Sequence, residues 1–252
     1  MAAFGQIKDI VQADEIINPL HKANIGRITF MNGNIPLDQY KQSDFLACFE
    51  LTHTSNLNIR VFMGNSITNY LHQLAPDLAP EALVKKGNFQ FSFYVDKKLI
   101  YKENIHYGAG VNKNTATTFR VPLTSTTGED WWAMYLWDRF KLNGGEKALT
   151  EGTHILKIEI RPYIKVAENS EIKTGDLIAA GQVKLKIKSP VIMARQIAVQ
   201  PIQPGSDWAI SKEPYNKKKI EALNIAVARY ELKEITSVVV IKEGKLLIEG
   251  IL

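Results

Sequence analysis

The sequence holds a single cysteine, Cys48, among its 252 residues. One cysteine excludes a disulfide bond within the chain and any metal site built from several thiolates. Cys48 lies inside the apolar run 45–49. Because free cysteine packs as a small apolar side chain, this setting predicts a buried thiol with a structural role.

Long apolar runs are also missing. No stretch approaches the ~20 consecutive apolar residues of a transmembrane helix, so no membrane span is predicted. The first residues, from Met1 to Asp9, lack the basic and apolar regions of a secretory signal peptide, and none is predicted in this chain. These features leave the cellular compartment open.

Catalytic and cofactor-binding motifs are absent as well. There is no Gly-x-Ser-x-Gly nucleophile turn, no phosphate-binding loop and no dinucleotide-binding fingerprint. The five histidines form no His-x-x-x-His pair and no other metal-ligand spacing. We therefore predict no catalytic residue, no metal ligand and no cofactor.

The formal charge is moderately positive. Lysine and arginine number 31 against 26 acidic residues, which gives a net charge of +5. The basic residues are scattered, and their one run of three is 217–219. A solvated basic surface explains this pattern, and a nucleic-acid partner is not predicted.

The sequence does contain many short segments in which apolar and polar residues alternate. Phe89, Phe91 and Phe93 alternate with polar residues, and residues 156–161 alternate apolar with charged ones, a period typical of half-buried strands. Further strands are predicted at 25–31, 44–52, 57–63, 99–102, 117–123, 177–180 and 183–187, with short helices at 67–74 and 81–85. This pattern predicts a mainly β protein, an antiparallel β-sandwich of the jelly-roll type with short helical insertions. Its core is predicted to include Phe89, Phe91, Phe93, Ile158 and Ile160.

Composition divides the chain into three predicted parts. Residues 20–190 form the sandwich domain, and 191–215 form a linker or surface-running segment because four prolines lie between 190 and 214. Residues 216–252 contain a predicted helix at 220–230 and a β-hairpin, too few elements to bury a core. We interpret this third part as the truncated start of another domain. Its unpaired strand edge favours a homodimer through 216–252 or a loosely ordered tail.

Aromatic residues concentrate around 130–140, where a flat platform for stacking a sugar ring is predicted. The candidate ligand-binding residues are Trp131, Trp132, Tyr135, Trp137, Asp130, Asp138, Arg139 and His106. The competing interpretation is that Trp132 and Trp137 are buried in the core, because aromatic residues at helical spacing commonly pack there. Trp131, which adjoins the acidic pair Glu129-Asp130, is expected to be exposed.

The C-terminal residues carry a family resemblance. Residues 235–249 read Ile-Thr-Ser-Val-Val-Val-Ile-Lys-Glu-Gly-Lys-Leu-Leu-Ile-Glu and follow the predicted helix. This order resembles the start of the serine β-lactamase and penicillin-binding-protein-like hydrolases, in which a helix precedes a hairpin with a Lys-Asp/Glu-Gly-Lys turn. The resemblance implies that the upstream chain is the amino-terminal accessory region of a bacterial serine hydrolase. It also implies a periplasmic or cell-envelope location and the protein's own C-terminal hydrolase domain as a partner.

The catalytic motifs of that family occur here only as short matches of residue order. Ser170-Glu-Ile-Lys173 fits Ser-x-x-Lys, and Lys173-Thr-Gly175 fits Lys-Thr-Gly. The two matches share Lys173 and precede the start of the hydrolase-like segment, so a polar loop is predicted. The sequence thus predicts a non-catalytic accessory or binding module that binds a glycan or peptide or positions the hydrolase domain. The alternatives are a free-standing enzyme with an unrecognised site around His106 and residues 130–139, or a structural dimerisation module.

Overall fold

We describe the protein from a computed structural model. The structure describes residues 8–52, 55–105, 115–124, 131–167, 169–188, 209–211, 214, 216, 218–220, 223 and 237–251, with the backbone alone at 131–135, 210, 237–238 and 248–251. The chain forms two compact units, residues 1–189 and 190–252.

The first unit contains nine strands and five short α-helices in its described part, together with a 3-10 helix (Gln42–Asp44) and a π-helical turn (Lys141–Gly145). The strands are β1 (Ile28–Asn32), β2 (Cys48–Leu51), β3 (Leu57–Phe62), β4 (Gly87–Val95), β5 (Lys98–Asn104), β6 (Thr118–Pro122), β7 (Gly152–Ile164), β8 (Lys173–Thr174) and β9 (Ala179–Ile187). The helices are α1 (Pro19–Ala23), α2 (Ile67–Leu74), α3 (Pro80–Lys86), α4 (Trp131–Phe140) and α5 (Glu146–Ala148). The mainly β composition with few helices agrees with the sequence prediction.

Two sheets organise this unit. The large sheet has the strand order β2-β9-β7-β4-β5, and the two-residue β8 also pairs with β7. Its strands are antiparallel except β2, which runs parallel to β9. The small sheet is antiparallel with the order β1-β3-β6. The architecture therefore combines an antiparallel sheet with a mixed one.

An aromatic core joins the two sheets. Phe89 of β4 stacks on Phe119 of β6 with 4.9 Å between ring centroids. Phe93 stacks on Phe140 of α4 at the same 4.9 Å. The predicted core residues Phe89, Phe91, Phe93, Ile158 and Ile160 are all buried. We call this side of the large sheet its inner face and the opposite side its outer face.

A close backbone contact links β1 to β9. The amide of Ala180 donates to Gly26 O at 3.1 Å. A Cβ atom on Gly181 would lie 1.9 Å from Ile28 O, closer than any real contact allows. Glycine is therefore required at position 181, where one strand backbone lies directly against another.

Local sequence signals explain the ends of the helices. Ser66 Oγ accepts from the amide of Asn69 at 3.3 Å and caps the start of α2. Pro80 occupies the first turn of α3, where its missing N–H costs no hydrogen bond. Both helices lie where the sequence predicts them.

The interpretation of residues 44–52 as a buried strand with Cys48 in the core is wrong. The strand covers only Cys48–Leu51 at the edge of the large sheet, and Cys48 is exposed. Cys48 pairs with Lys184 and lies on the outer face, whereas Leu51 is buried. An apolar run does not reveal which residues of an edge strand alternate toward solvent.

The second unit contains a three-stranded sheet within its described residues. Its strands are β10 (Ala209–Ile210), β11 (Ser237–Lys242) and β12 (Lys245–Ile251), in the order β10-β12-β11. The antiparallel hairpin of β11 and β12 turns at Glu243 and Gly244, both with positive φ. The hairpin agrees with the sequence prediction, and most of the predicted helix at 220–230 lies outside the described residues.

Candidate functional site

The outer face of the large sheet carries alternate residues of its four longest strands. They are Lys102 and Asn104 of β5, Gln90, Ser92 and Tyr94 of β4, Lys157, Glu159 and Arg161 of β7, and Gln182, Lys184 and Lys186 of β9. Strand alternation produces this arrangement, since the neighbours of each buried inner residue must point to the other side. These residues are polar, and five of the six charged ones are basic.

Glu159 lies at the centre of this face and is only 9% exposed. Its Oε1 pairs with Lys157 Nζ at 2.6 Å, and its Oε2 accepts from Tyr94 Oη at 3.2 Å. Arg161 Nη2 is 3.9 Å from the same Oε2. One carboxylate therefore binds three side chains from two adjacent strands.

These contacts determine the charge of the site. Partial burial raises the pKa of Glu159, but the hydrogen bond and charge of Lys157, the Tyr94 hydroxyl and the charge of Arg161 outweigh it and lower the pKa below its usual value. Burial and the Glu159 charge raise the pKa of Tyr94. At neutral pH Glu159 is thus ionised and Tyr94 keeps its proton. Such a carboxylate accepts hydrogen bonds and is a poor general acid.

Further polar groups extend the face on both sides of Glu159. Gln90 Nε2 donates to Asn104 Oδ1 at 2.8 Å across the β4–β5 pair. Lys102, Lys184 and Lys186 are exposed. The Nζ atom of Lys157 lies 5.3 Å from the centroid of the half-buried Tyr94 ring. This surface offers hydrogen-bond donors, an anionic acceptor and one aromatic ring, which are the groups that bind hydroxylated ligands.

A second polar cluster lies at the β4–β5 turn. His154 Nδ1 is 2.8 Å from Asp96 Oδ2, and His154 Nε2 is 3.1 Å from Thr150 O and 3.5 Å from Thr150 Oγ1. A carboxylate, an imidazole and a hydroxyl in series are the parts of a nucleophilic triad. Here Nε2 lies nearer the Thr150 carbonyl, at 3.1 Å, than the Thr150 hydroxyl, at 3.5 Å. The hydroxyl is thus at the limit of hydrogen-bonding distance from the ring, which is not the close contact of an activated nucleophile.

The Asp96 contacts instead stabilise the turn. Asp96 and Lys97 have φ angles of 48° and 73°, values that residues with side chains rarely adopt. Asp96 Oδ1 accepts from the amide of Ile155 at 2.8 Å, and the Asp96 amide donates to Ile155 O at 3.0 Å. The cluster fixes a strained hairpin against β7, which is a structural role.

Part of the aromatic cluster predicted to bind ligand lies within the described residues. Trp137 is buried and packs on Phe140 at 5.0 Å between ring centroids. Asp138 forms an ion pair with Lys141 at 2.6 Å, and Arg139 is exposed. Trp137 thus faces the core, as the competing interpretation expects for this residue.

The other predicted ligand-binding residues have side chains outside the part of the chain that the structure describes. Asp130 and His106 lie outside the described residues, as do the side chains of Trp131, Trp132 and Tyr135. The Ser-x-x-Lys match lies in and beside a turn, where Ser170 Oγ donates to Ala167 O at 2.7 Å. This bond ties the hydroxyl to its own turn and fits the predicted polar loop at Ser170. The loop prediction is wrong for Lys173 and Thr174, which form the short strand β8 against β7.

Sequence reasoning predicts the strands of the outer face but does not bring their polar residues together. The alternation at 156–161 predicts a strand, and it does not show which residues of another strand lie beside Lys157, Glu159 and Arg161. Tyr94 and Glu159 both occupy polar positions on alternating strands, which is compatible with one shared surface. The sequence does not give the pairing register that brings the two residues together.

Within the described ranges, no group of three or more His, Cys, Asp or Glu side chains is arranged to hold a metal ion. In the same part of the chain, no helix is long and apolar enough to cross a membrane.

Comparison with known proteins gives a negative result. No family model, curated protein sequence or solved structure matches the chain.

Proposed function

We propose that the first unit is a non-catalytic accessory module, a β-sandwich of the jelly-roll type, that binds a glycan through the outer face of its large sheet. In the full-length protein this module precedes a serine β-lactamase-like hydrolase domain and presents substrate to it at the bacterial cell envelope. Glu159 and its neighbours provide the hydrogen-bonding groups, and Tyr94 provides the ring against which a sugar packs.

The observation that carries this proposal is the contrast between the two faces of the large sheet. The inner face is apolar at its centre, whereas the outer face joins Tyr94, Lys157, Glu159 and Arg161 in one connected polar network. Hydrogen-bonded side chains on a sheet are held in place by their neighbours, so a ligand meets a preorganised surface. Sugars present hydroxyls to such donors and acceptors and apolar C–H faces to aromatic rings.

The link to a hydrolase rests on the second unit. The residues behind the family resemblance form a hairpin in which Lys242 and Lys245 flank the Glu243-Gly244 turn. A hairpin of this kind is what supports the proposed link to the hydrolase family. The hydrolase domain as a partner and a homodimer through 216–252 both remain predictions.

Glycan binding is tested by titrating the protein with purified peptidoglycan fragments and with a panel of neutral oligosaccharides. We expect saturable binding to at least one of them, and Tyr94→Ala should weaken it about tenfold, which corresponds to about 1.4 kcal/mol. Lys22→Ala, an exposed change outside the sheet, is the matched control. Absence of binding throughout, or an unchanged affinity in Tyr94→Ala, would refute the assigned face.

The free-standing enzyme alternative is tested by assaying the same protein for ester and β-lactam hydrolysis. We expect no turnover above that of a blank. Turnover that a single substitution within residues 1–190 abolishes would overturn the accessory-module proposal. His154→Asn is the first such variant to measure, because its ring is the described imidazole that contacts both a carboxylate and a threonine hydroxyl.

A further inference from the structure

The small sheet has one face that carries Ile59 and Val61 and an opposite face that contains a buried arginine. Arg60 on β3 is only 7% exposed. Its Nη2 donates to Ile35 O at 2.9 Å, and its guanidinium carbon lies 5.5 Å from the centroid of the Tyr40 ring. Tyr40 in turn packs with Met31 and Phe62 in a small apolar cluster on this face. The guanidinium is therefore fixed in position and shielded from water.

These contacts leave Arg60 incompletely satisfied. Its Nε atom is buried and has no hydrogen-bond partner. Within the part of the chain that the structure describes, the contacts of Arg60 are with a carbonyl and a ring, and none is with a carboxylate. A buried charge without a counterion is strongly unfavourable, and a buried donor without a partner points to a group that is not part of the chain.

A second guanidinium group adjoins the first. Arg120 on β6 is the direct cross-strand partner of Arg60, so their Cβ atoms are about 5 Å apart on the same face. Arg120 Nη1 donates to Asn58 Oδ1 at 2.6 Å, and the side chain is half-buried, which leaves it open to solvent. Burial lowers the pKa of Arg60, Tyr40 opposes this effect, and the charge of Arg120 lowers the pKa further. Like charges directly opposite each other destabilise a sheet.

We infer that Arg60 and Arg120 together form a binding site for a phosphate or sulfate group. Guanidinium N–H groups match the oxygens of such anions and form charge-assisted hydrogen bonds with them. The two arginines are direct neighbours on adjacent strands, so both can donate to one anion. A tetrahedral group presents oxygens to both, whereas a carboxylate presents its oxygens in one plane. The bound group supplies a counterion to Arg60 and offsets the repulsion between the two arginines.

The test is thermal unfolding of the full chain in millimolar sodium sulfate or phosphate, with sodium chloride holding the ionic strength constant. An anion that binds only the folded state raises the Tm in a saturable way, here by roughly 2–5 °C. Arg120→Gln should abolish the saturable rise. Arg27→Gln removes an exposed arginine outside the pair and should retain it.

The two variants also distinguish binding at a specific anion site from a general effect of salt on stability. Without sulfate or phosphate, the Tm of Arg120→Gln should be close to that of the natural sequence, because the loss of the repulsion is offset by the loss of the hydrogen bond to Asn58. At saturating anion the natural sequence should be clearly the more stable of the two. A rise that does not saturate, or an equal rise in Arg120→Gln, overturns the assignment. Arg120 is half-exposed, so this variant is expected to fold even if the buried change Arg60→Met does not.

The source of the group is distinguished by further titrations. Glucose 6-phosphate and galactose 6-sulfate are compared with the inorganic ions under the same conditions. Tighter binding of an ester identifies a modified sugar as the ligand, and tighter binding of the free ion identifies the inorganic species. Either result supports the site. Acetate should give no saturable effect, and a response equal to that of sulfate would overturn the tetrahedral assignment.

Discussion

The inner and outer faces of the large sheet are built from the same strands but differ in almost every physical property. On β4, Phe89, Phe91 and Phe93 are at most 1% exposed and pack among aromatic rings. The alternate residues of the same strand contact charged and amide groups, and Tyr94 donates to Glu159 at 3.2 Å. Side chains on the inner face pack through apolar contacts, whereas those on the outer face form hydrogen bonds and ion pairs.

This difference determines how much each face contributes to the stability of the fold. Burying each large apolar side chain contributes roughly 1.5–3 kcal/mol. Polar contacts at a partly exposed surface contribute less, because water competes for the same groups. Substitutions on the inner face should therefore reduce stability more than substitutions on the outer face.

The largest expected effect is that of Phe91→Ala on the inner face. Removing this ring leaves a cavity among close-packed residues, and we expect a loss of about 3–5 kcal/mol in the free energy of unfolding. Denaturant titration measures it, with the outer-face change Lys102→Ala of neighbouring β5 as the control. A loss below ~1 kcal/mol for Phe91→Ala would mean that the two faces have been assigned the wrong way round.

Gly181→Ala should have the next largest effect, although it adds a single methyl group to the inner side of β9. The new Cβ atom would meet Ile28 O at 1.9 Å, and a backbone oxygen cannot move away as a flexible side chain can. We expect a loss of about 2–3 kcal/mol in denaturant titration. Gln182→Ala, the adjacent change on the outer face, is the control. Equal stability of the two variants would show that β1 does not lie against β9.

Glu159→Gln should cost less, about 1–2 kcal/mol at pH 7, because it removes charge-assisted bonds at a surface that water still reaches. The folded-state pKa of Glu159 is lowered, so its stabilising contribution is complete above the unfolded value of about 4.3. That contribution is lost as the pH falls through the folded pKa. Unfolding curves between neutral and acidic pH should therefore converge for the two proteins. A difference that persists at low pH would indicate that shape, and not charge, causes the loss.

Asp96→Asn should have the smallest effect, about 0.5–1 kcal/mol, since its carboxylate is about half exposed, with 53% side-chain exposure. The bonds from the Ile155 amide and from His154 lower the pKa of Asp96. Its contribution is present above the unfolded value of about 3.9 and disappears as the pH falls through the folded pKa. Thermal unfolding at neutral and acidic pH measures this dependence. A larger loss than that of Glu159→Gln would make the turn, and not the outer-face network, the main polar support of the sheet.

Predictability from sequence differs between the two faces. The positions of β4 and β7 and the burial of Phe91 and Ile158 follow from alternation alone, because a strand has a fixed period of two residues. The network around Glu159 could not be predicted, since it depends on which strands are neighbours and in which register. Much of the predicted aromatic site lies outside the described residues, and the buried Trp137 follows its helical spacing.

In the small sheet, too, the sequence predicts the strands but not the surroundings of their polar side chains. Alternation on β3 predicts that Leu57, Ile59 and Val61 share one face, and all three are buried. Alternation does not predict that Arg60, on the opposite face of the strand, is buried. Only the tertiary structure decided that Ile35 and Tyr40 lie against it and that Arg120 pairs with it across the strands. Local periodicity is set by backbone geometry, whereas the surroundings of a side chain depend on segments distant in sequence, and this is why the sequence determined the strands and the fold determined the sites.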